Sequence, residues 1–100
     1  MARIRYEIDL APEAVDDYRN LDPRARAMVR NGIEAHLRHQ PMRTSRSRIK
    51  RLRGLARPQY RLRLGEVRVF YDVVESRVQV LAIVEKSRAR EWLERCGEKS

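Results

Sequence analysis

Three arginines at β-strand spacing are the residues of this chain best suited to chemistry. Arg61 and Arg63 are two residues apart, and Arg68 follows beyond a Gly-Glu pair that favours a tight turn. Residues two apart on a strand point to the same face, so a hairpin would gather the three guanidiniums. A guanidinium stays charged and carries five N–H donors, which suits it to phosphate. The pattern predicts a phosphate-binding face; the alternative is that these arginines only pair with carboxylates of a partner protein.

The element that positions these arginines is a β-hairpin predicted over residues 58–74. Polar and apolar residues alternate on both sides of Gly65, which tolerates the positive φ of a turn. One face of the hairpin would carry Tyr60, Leu62, Leu64, Val67, Val69, Tyr71 and Val73. The other face would carry the three arginines with Phe70 and Asp72.

The remaining chain predicts helices on one side of a sheet. Hydrophobic periodicity, Pro12, and Asp22 followed by Pro23 indicate a helical hairpin, and residues 77–85 indicate a strand with two apolar faces. In that strand we expect Val78, Val80, Ala82 and Val84 to share one face. The full assignment is a strand at 3–10, helices at 12–20 and 22–38, a loop at 40–48, a weak strand at 49–54, a turn at 55–58, the hairpin, the strand at 77–85 and a helix at 88–95.

The predicted fold class is therefore α+β. We expect a two-layer sandwich with an N-terminal strand, a helical hairpin, an antiparallel sheet of three to four further strands and a short C-terminal helix. The helices would cover one face of the sheet and leave the other basic. A length of 100 residues predicts a single domain over residues 1–100.

The net charge of +9 is concentrated in one segment. Residues 43–68 hold ten basic side chains and one acidic side chain, whereas basic and acidic residues balance on either side. A local excess favours a polyanionic partner such as nucleic acid or an acidic protein, although a solvated basic loop has the same composition. Within this segment, Lys50, Arg51 and Arg53 are candidate residues for binding a nucleic acid backbone.

Other features exclude several classes of protein. No secretion signal, membrane span or basic amphipathic helix is recognisable, so we expect a cytoplasmic protein without membrane contact. Cys96 is the only cysteine and cannot form an internal disulfide. His36 and His39 are three residues apart without further ligands, so we predict no metal site and no cofactor.

Several ordered segments together resemble the RelE/ParE superfamily of toxins from bacterial type II toxin–antitoxin systems. They are the residues at 10–14 (LAPEA), 50–55 (KRLRGL), 60–65 (YRLRLG), 68–73 (RVFYDV) and 84–88 (VEKSR). The resemblance covers nearly the whole chain. It implies the same α+β fold and a cognate antitoxin as partner.

The resemblance also implies a set of catalytic residues. Similar ribonucleases carry two basic residues at the positions of Arg61 and Arg63, and an arginine at that of Arg68. A further basic residue follows the last strand and matches Ser87 without a gap or Arg88 with a one-residue shift; Lys86 is a neighbouring candidate. The family's later tyrosine is absent. Trp92 or Leu93 falls near its place, and Trp92 would either stack on an RNA base or pack the terminal helix.

Two activities are compatible with this family. RelE-like members are metal-independent endoribonucleases that cut mRNA at the ribosome and inhibit translation, through attack of the 2′-hydroxyl on the neighbouring phosphate. ParE-like members poison DNA gyrase without catalysis. We predict the ribonuclease, with mRNA and ribosome as partners; the alternatives are a gyrase poison and a degenerate toxin that only binds its antitoxin.

Overall fold

The central element is a five-stranded mixed sheet, seen in a computed structural model that describes residues 4–100. In chain order the elements are β1 (Glu7–Leu10), α1 (Pro12–Asn20), α2 (Pro23–Leu37), β2 (Ile49–Arg51), β3 (Leu55–Arg57), β4 (Tyr60–Leu64), β5 (Val67–Val74), β6 (Arg77–Glu85), α3 (Ala89–Cys96) and β7 (Glu98–Lys99). The strand order across the large sheet is β1-β6-β5-β4-β2, and β3 pairs with β7 in a separate two-stranded sheet. The predicted α+β class is confirmed.

The helical hairpin forms where its capping residues predict it. Pro12 and Pro23 begin the two helices, where a missing backbone N–H costs nothing. The Asp22 carboxylate accepts a hydrogen bond from the backbone N–H of Ala25 at 2.8 Å and so caps α2. Gly32 lets α2 approach the sheet, because a β-carbon there would lie 2.5 Å from Cδ2 of Leu64.

Different helices pack on the two faces of the sheet. One face packs against α1 and α2 through Val29, Ile33, Leu62, Val69 and Tyr71, all of them buried. The opposite face is covered in part by α3. There Phe70, Ala82 and Trp92 form a second, smaller core. The hairpin arginines therefore share their face of the sheet with α3. The sequence predicted that this whole face would be open, but α3 covers part of it.

Strand β6 differs from its predicted side-chain pattern. Phe70 of β5 pairs with Ala82, but the next residue, Tyr71, pairs with Val80, so Leu81 is an extra residue at an irregularity in the ladder. A single inserted residue exchanges the faces of everything beyond it. Val78 and Val80 consequently join the helix-side core, whereas Ala82 and Val84 pack with α3. The prediction that all four share a face was wrong.

Several element boundaries also differ. Strand β1 begins at Glu7, later than predicted, and the predicted start at Arg3 lies outside the described residues. The predicted strand over 49–54 ends at Arg51, and Gly54 has a turn φ of +77°. Residues 55–57, predicted as part of a turn, form β3, because the distant C-terminal β7 supplies a partner strand. β1 runs parallel to β6, and the other pairs in the large sheet are antiparallel.

Candidate functional site

The β4–β5 hairpin places Arg61, Arg63 and Arg68 on one face of the sheet. Arg63 lies directly across from Arg68 in the antiparallel ladder, and Arg61 lies across from Phe70. Cross-strand partners point to the same side of a sheet, and Leu62, between the two arginines, points to the helix-side core. We call these three residues the arginine cluster.

The arginine cluster carries positive charge that no carboxylate neutralises within the part of the chain that the structure describes. The pKa of Arg61 is lowered by burial and by the charges of Arg68 and Arg63. The pKa of Arg68 is lowered by burial and by Arg63, and Glu66 offsets this only in part. In addition, Arg61 Nε is buried without a hydrogen-bond partner among residues 4–100. Like charges held together in this way favour a bound anion.

The three arginines are fixed to different degrees. Arg68 is 5% exposed, and its Nη1 donates to the carbonyl oxygens of Gly65 at 2.7 Å and Val67 at 3.1 Å. Arg63 is exposed. Arg68 therefore stabilises the hairpin turn as well as contributing charge, whereas Arg63 is free to reach a ligand.

This difference predicts unequal stability effects. Arg68→Ala removes the donor to the Gly65 and Val67 carbonyls and should lower the free energy of unfolding by about 1–3 kcal/mol. Arg63→Ala removes an exposed side chain and should change it by less than about 0.5 kcal/mol. Urea denaturation of the two variants measures the contrast. Equal stabilities would mean that the hydrogen bonds of Arg68 contribute nothing to the fold.

The candidate RNA-binding residues before the hairpin separate into different environments. Lys50 pairs with Arg61 across β2 and β4, so it lies on the face of the arginine cluster. Arg51 pairs with Tyr60, and its guanidinium lies 5.1 Å from the centre of the Tyr60 ring on the helix side. Arg53 is exposed in the turn before β3. Only Lys50 of these three extends the arginine cluster.

Lys86 and Arg88 lie in the 3₁₀ turn that joins β6 to α3. The backbone N–H of Lys86 donates to the Glu66 carbonyl at 2.7 Å, which places Lys86 beside the β4–β5 turn. Arg88 instead lines a cleft of about 310 Å³ between α1 and α3 that none of the hairpin arginines lines. Acidic side chains surround Arg88 there: Glu13, Asp17, Glu85 and Glu91.

Trp92 lies in the interior rather than on an open surface. It is 6% exposed and stacks on Phe70, with ring centroids 5.0 Å apart and ring planes at 5°. Its indole Nε1 is buried and lacks a hydrogen-bond partner among the described residues. The stack fixes α3 on the sheet next to Arg61, and Trp92 thereby bounds the arginine cluster on one side. Of the two roles considered for Trp92, the geometry supports packing.

Sequence reasoning missed the roles of two carboxylates, Asp72 on β5 and Asp17 on α1. Asp72, 3% exposed, accepts hydrogen bonds from Arg57 Nε at 2.8 Å and from the Gln59 backbone N–H at 2.7 Å, which removes Arg57 from the free positive charges. Asp17 accepts from the backbone N–H of Ile83 at 2.9 Å, and burial raises its pKa. An acid within an apolar strand was the available signal for Asp72; Asp17 looked like any polar helix residue.

Residues 4–100 show neither a metal-binding group nor a membrane-spanning helix. Residues 4–100 hold no group of three or more His, Cys, Asp or Glu side chains placed to bind a metal ion. Over the same residues, no helix has the length and apolar character needed to cross a bilayer.

Comparison with known proteins gives matches among solved structures only. No family model matches the sequence, and no curated protein matches it. The RelBE toxin–antitoxin complex of Mycobacterium tuberculosis contains a similar chain, with a TM-score of 0.64, 23% identity, and coverage of 82% of this chain and 99% of that one. The RelE–RelB complex of Pyrococcus horikoshii gives a TM-score of 0.68, 21% identity, and coverage of 84% and 98%.

A third match agrees with these two. The RelB–RelE antitoxin–toxin complex of Methanococcus jannaschii gives a TM-score of 0.63, 17% identity, and coverage of 83% and 95%. The matched chains are RelE toxins. At sequence identities this low, the structural similarity establishes a shared fold. The protein thus has the fold of the RelE toxins.

Proposed function

We propose that this protein is the toxin of a type II toxin–antitoxin pair and that it cleaves mRNA without a metal ion at the ribosome, thereby inhibiting translation in the cytoplasm. The observation that carries the proposal is the arginine cluster: three guanidiniums without a carboxylate partner, held on one face of a RelE-like sheet. RNA is a polyanion, and this face offers it fixed positive charge.

The proposed chemistry is attack of a ribose 2′-hydroxyl on the adjacent phosphate. Charge accumulates on the phosphorus oxygens as the new P–O bond forms and the 5′-oxygen leaves, and a 2′,3′-cyclic phosphate results. Fixed cations aimed at that charge stabilise the transition state more than the ground state. Arg61, Arg63 and Arg68 would fill this role, and Lys50 would hold a flanking phosphate from the same face.

Proton abstraction needs a group other than arginine, because the guanidinium stays protonated and so has no free lone pair to accept a proton. Lys86 is the better-placed candidate for proton transfer. Its backbone N–H is hydrogen-bonded to the Glu66 carbonyl, so it lies beside the hairpin turn near the arginine cluster. Arg88 has a weaker case, because it lines the acidic cleft beside α1. Trp92 would pack beside the site through its stack with Phe70 and would not stack on an RNA base.

The proposed partner is an antitoxin, as in the three RelE complexes to which this fold is similar. β1 forms one edge of the sheet, and next to it lies a groove of about 290 Å³. Its lining combines Ile8, Leu10, Tyr18 and Ile33 with the charged residues Arg30, Glu34 and Arg38. An added strand or an amphipathic helix could cover such a surface.

The activity is tested by mapping cellular RNA by primer extension after brief induction of the protein. Discrete cuts within translated messages would support the ribonuclease. Growth arrest with intact messages and gyrase-dependent DNA breaks would replace it with a gyrase poison. Growth without arrest would indicate a degenerate toxin that binds only its antitoxin.

A further inference from the structure

A second basic cleft lies around the edge of the sheet from the arginine cluster. It has a volume of about 320 Å³ and is formed by the end of α2, the connection to β2 and the start of β2. His36, Gln40, Arg43, Ser45 and Arg48 supply its polar lining. None of the described residues that line it is acidic. The sequence predicted only a polar loop here and assigned no function to His36.

The two arginines of this cleft are held in place by neutral groups. Arg43 Nη1 donates to Gln40 Oε1 at 3.2 Å, and Arg48 Nη1 donates to the Arg63 carbonyl at 3.0 Å. Among residues 4–100 neither arginine forms an ion pair. Both positive charges are therefore oriented but not neutralised, which is the arrangement that an anion requires.

Ser45 adds a hydroxyl with a hydrogen to donate. Its Oγ accepts from the backbone N–H groups of Arg48 at 3.0 Å and Ile49 at 3.4 Å, so both lone pairs are engaged within the loop. The hydroxyl hydrogen remains available to an outside acceptor. A ligand with several acceptor oxygens and a negative charge, such as a phosphodiester, matches this combination of donors.

His36 gives the cleft a titratable group. Burial and the nearby charge of Arg48 lower its pKa in the free protein. The charged groups that line the cleft with His36 are Arg43 and Arg48; α2 otherwise contributes Ala35, and β2 contributes Ile49. A bound anion would offset the repulsion from Arg48 and favour the protonated ring.

The cleft is continuous with the arginine cluster through the backbone. The Arg63 N–H donates to the Arg48 carbonyl at 2.8 Å, and the Arg48 side chain returns a hydrogen bond to the Arg63 carbonyl. Adjacent strands are about 4.8 Å apart, so the cleft lies about one strand spacing from Arg63 and close enough for one nucleic acid strand to contact both.

We propose that this cleft is a second phosphodiester subsite, which holds the backbone of the RNA strand beyond the scissile phosphate and binds it more tightly when His36 is protonated. This inference rests on the proposed ribonuclease function. Its ligand class is single-stranded RNA rather than an acidic peptide, because the cleft lies around the sheet edge from the arginine cluster proposed to bind phosphate.

The test is binding of a short 2′-O-methyl oligoribonucleotide to the purified protein, followed by fluorescence anisotropy. This RNA lacks the attacking hydroxyl and is not cut, and its diesters keep one charge throughout the titration. Between about pH 8 and about pH 5.5 the wild-type affinity should rise about tenfold, and His36→Gln should abolish the rise. Arg43→Gln should weaken binding about tenfold, whereas Arg24→Gln, the same charge change on α2 outside the cleft, should weaken it less than about twofold.

The outcomes separate this inference from the proposed function. If His36→Gln and Arg43→Gln bind RNA as Arg24→Gln does while the wild type still cuts messages, the second subsite is wrong and the ribonuclease stands. If the wild type binds no RNA, both fail. Tight binding of a polyglutamate peptide to the cleft without binding of RNA would also overturn the inference. A His36 pKa that rises on addition of the RNA, followed by NMR, would support it.

Discussion

Replacing Arg63 with glutamine should lower the rate of RNA cleavage by about 100- to 1,000-fold, the usual effect of removing one donor to transition-state charge. Arg63 is the exposed member of the arginine cluster and lies directly across from Arg68, so it is the member best placed to reach a phosphate. Glutamine keeps much of the side-chain length and removes the charge. The measurement is single-turnover cleavage of translated message together with growth after induction.

The control for Arg63→Gln is Arg24→Gln, which removes an exposed arginine from the first turn of α2, outside the arginine-bearing face. It should leave cleavage and growth arrest unchanged. Both variants should unfold within about 0.5 kcal/mol of the wild type, since surface substitutions rarely cost more. A fully toxic Arg63→Gln would exclude the arginine cluster as the place where the scissile phosphate is bound.

Trp92→Ala should lower the free energy of unfolding by about 3–5 kcal/mol. The substitution removes one ring of the Phe70–Trp92 stack and uncovers Ala82, and these residues make up the smaller core beneath α3. Domains of this size are stable by only about 5–15 kcal/mol, so the midpoint of thermal unfolding should fall by more than about 10 °C. Urea and thermal denaturation measure the effect.

Trp92→Phe separates packing from RNA contact. Phenylalanine preserves the aromatic stack and eliminates the indole N–H, which has no hydrogen-bond partner among residues 4–100. The substitution should therefore cost less than about 1.5 kcal/mol and retain cleavage. If instead Trp92→Ala stays as stable as the wild type but loses RNA binding, the ring acts on a base, and the packing role is wrong.

Local sequence signals were sufficient where one segment carries all the information. Alternation around Gly65 gave the hairpin and the shared face of the three arginines, because the period of a strand is a property of its own residues. Asp22 and Pro23 likewise located the start of α2, since a helix cap involves only the first turn. The ordered motifs predicted the RelE-like fold, and the uneven charge predicted a polyanionic partner.

Tertiary structure decided whatever depends on pairing between distant segments. The extra residue at Leu81 moved Ala82 and Val84 to the α3 side, and periodicity alone does not reveal such an irregularity. β3 exists because β7, more than 40 residues later, is there to pair with it. Pairing across β2 and β4 likewise put Lys50 with the arginine cluster and Arg51 on the opposite face.

The same division holds for the candidate site. Its charges were evident from the sequence, because residue types at strand spacing predict which side chains point together. The sequence did not show which of these side chains are available to a ligand. In the structure, Arg68 donates a hydrogen bond to the Gly65 carbonyl, Arg57 donates one to Asp72, and Trp92 stacks on Phe70. Arg57 meets Asp72 and Phe70 meets Trp92 only when the sheet and α3 pack, because these pairs are distant in the chain. The hydrogen bonds of Arg68 are local to the hairpin, but its burial also depends on the folded sheet.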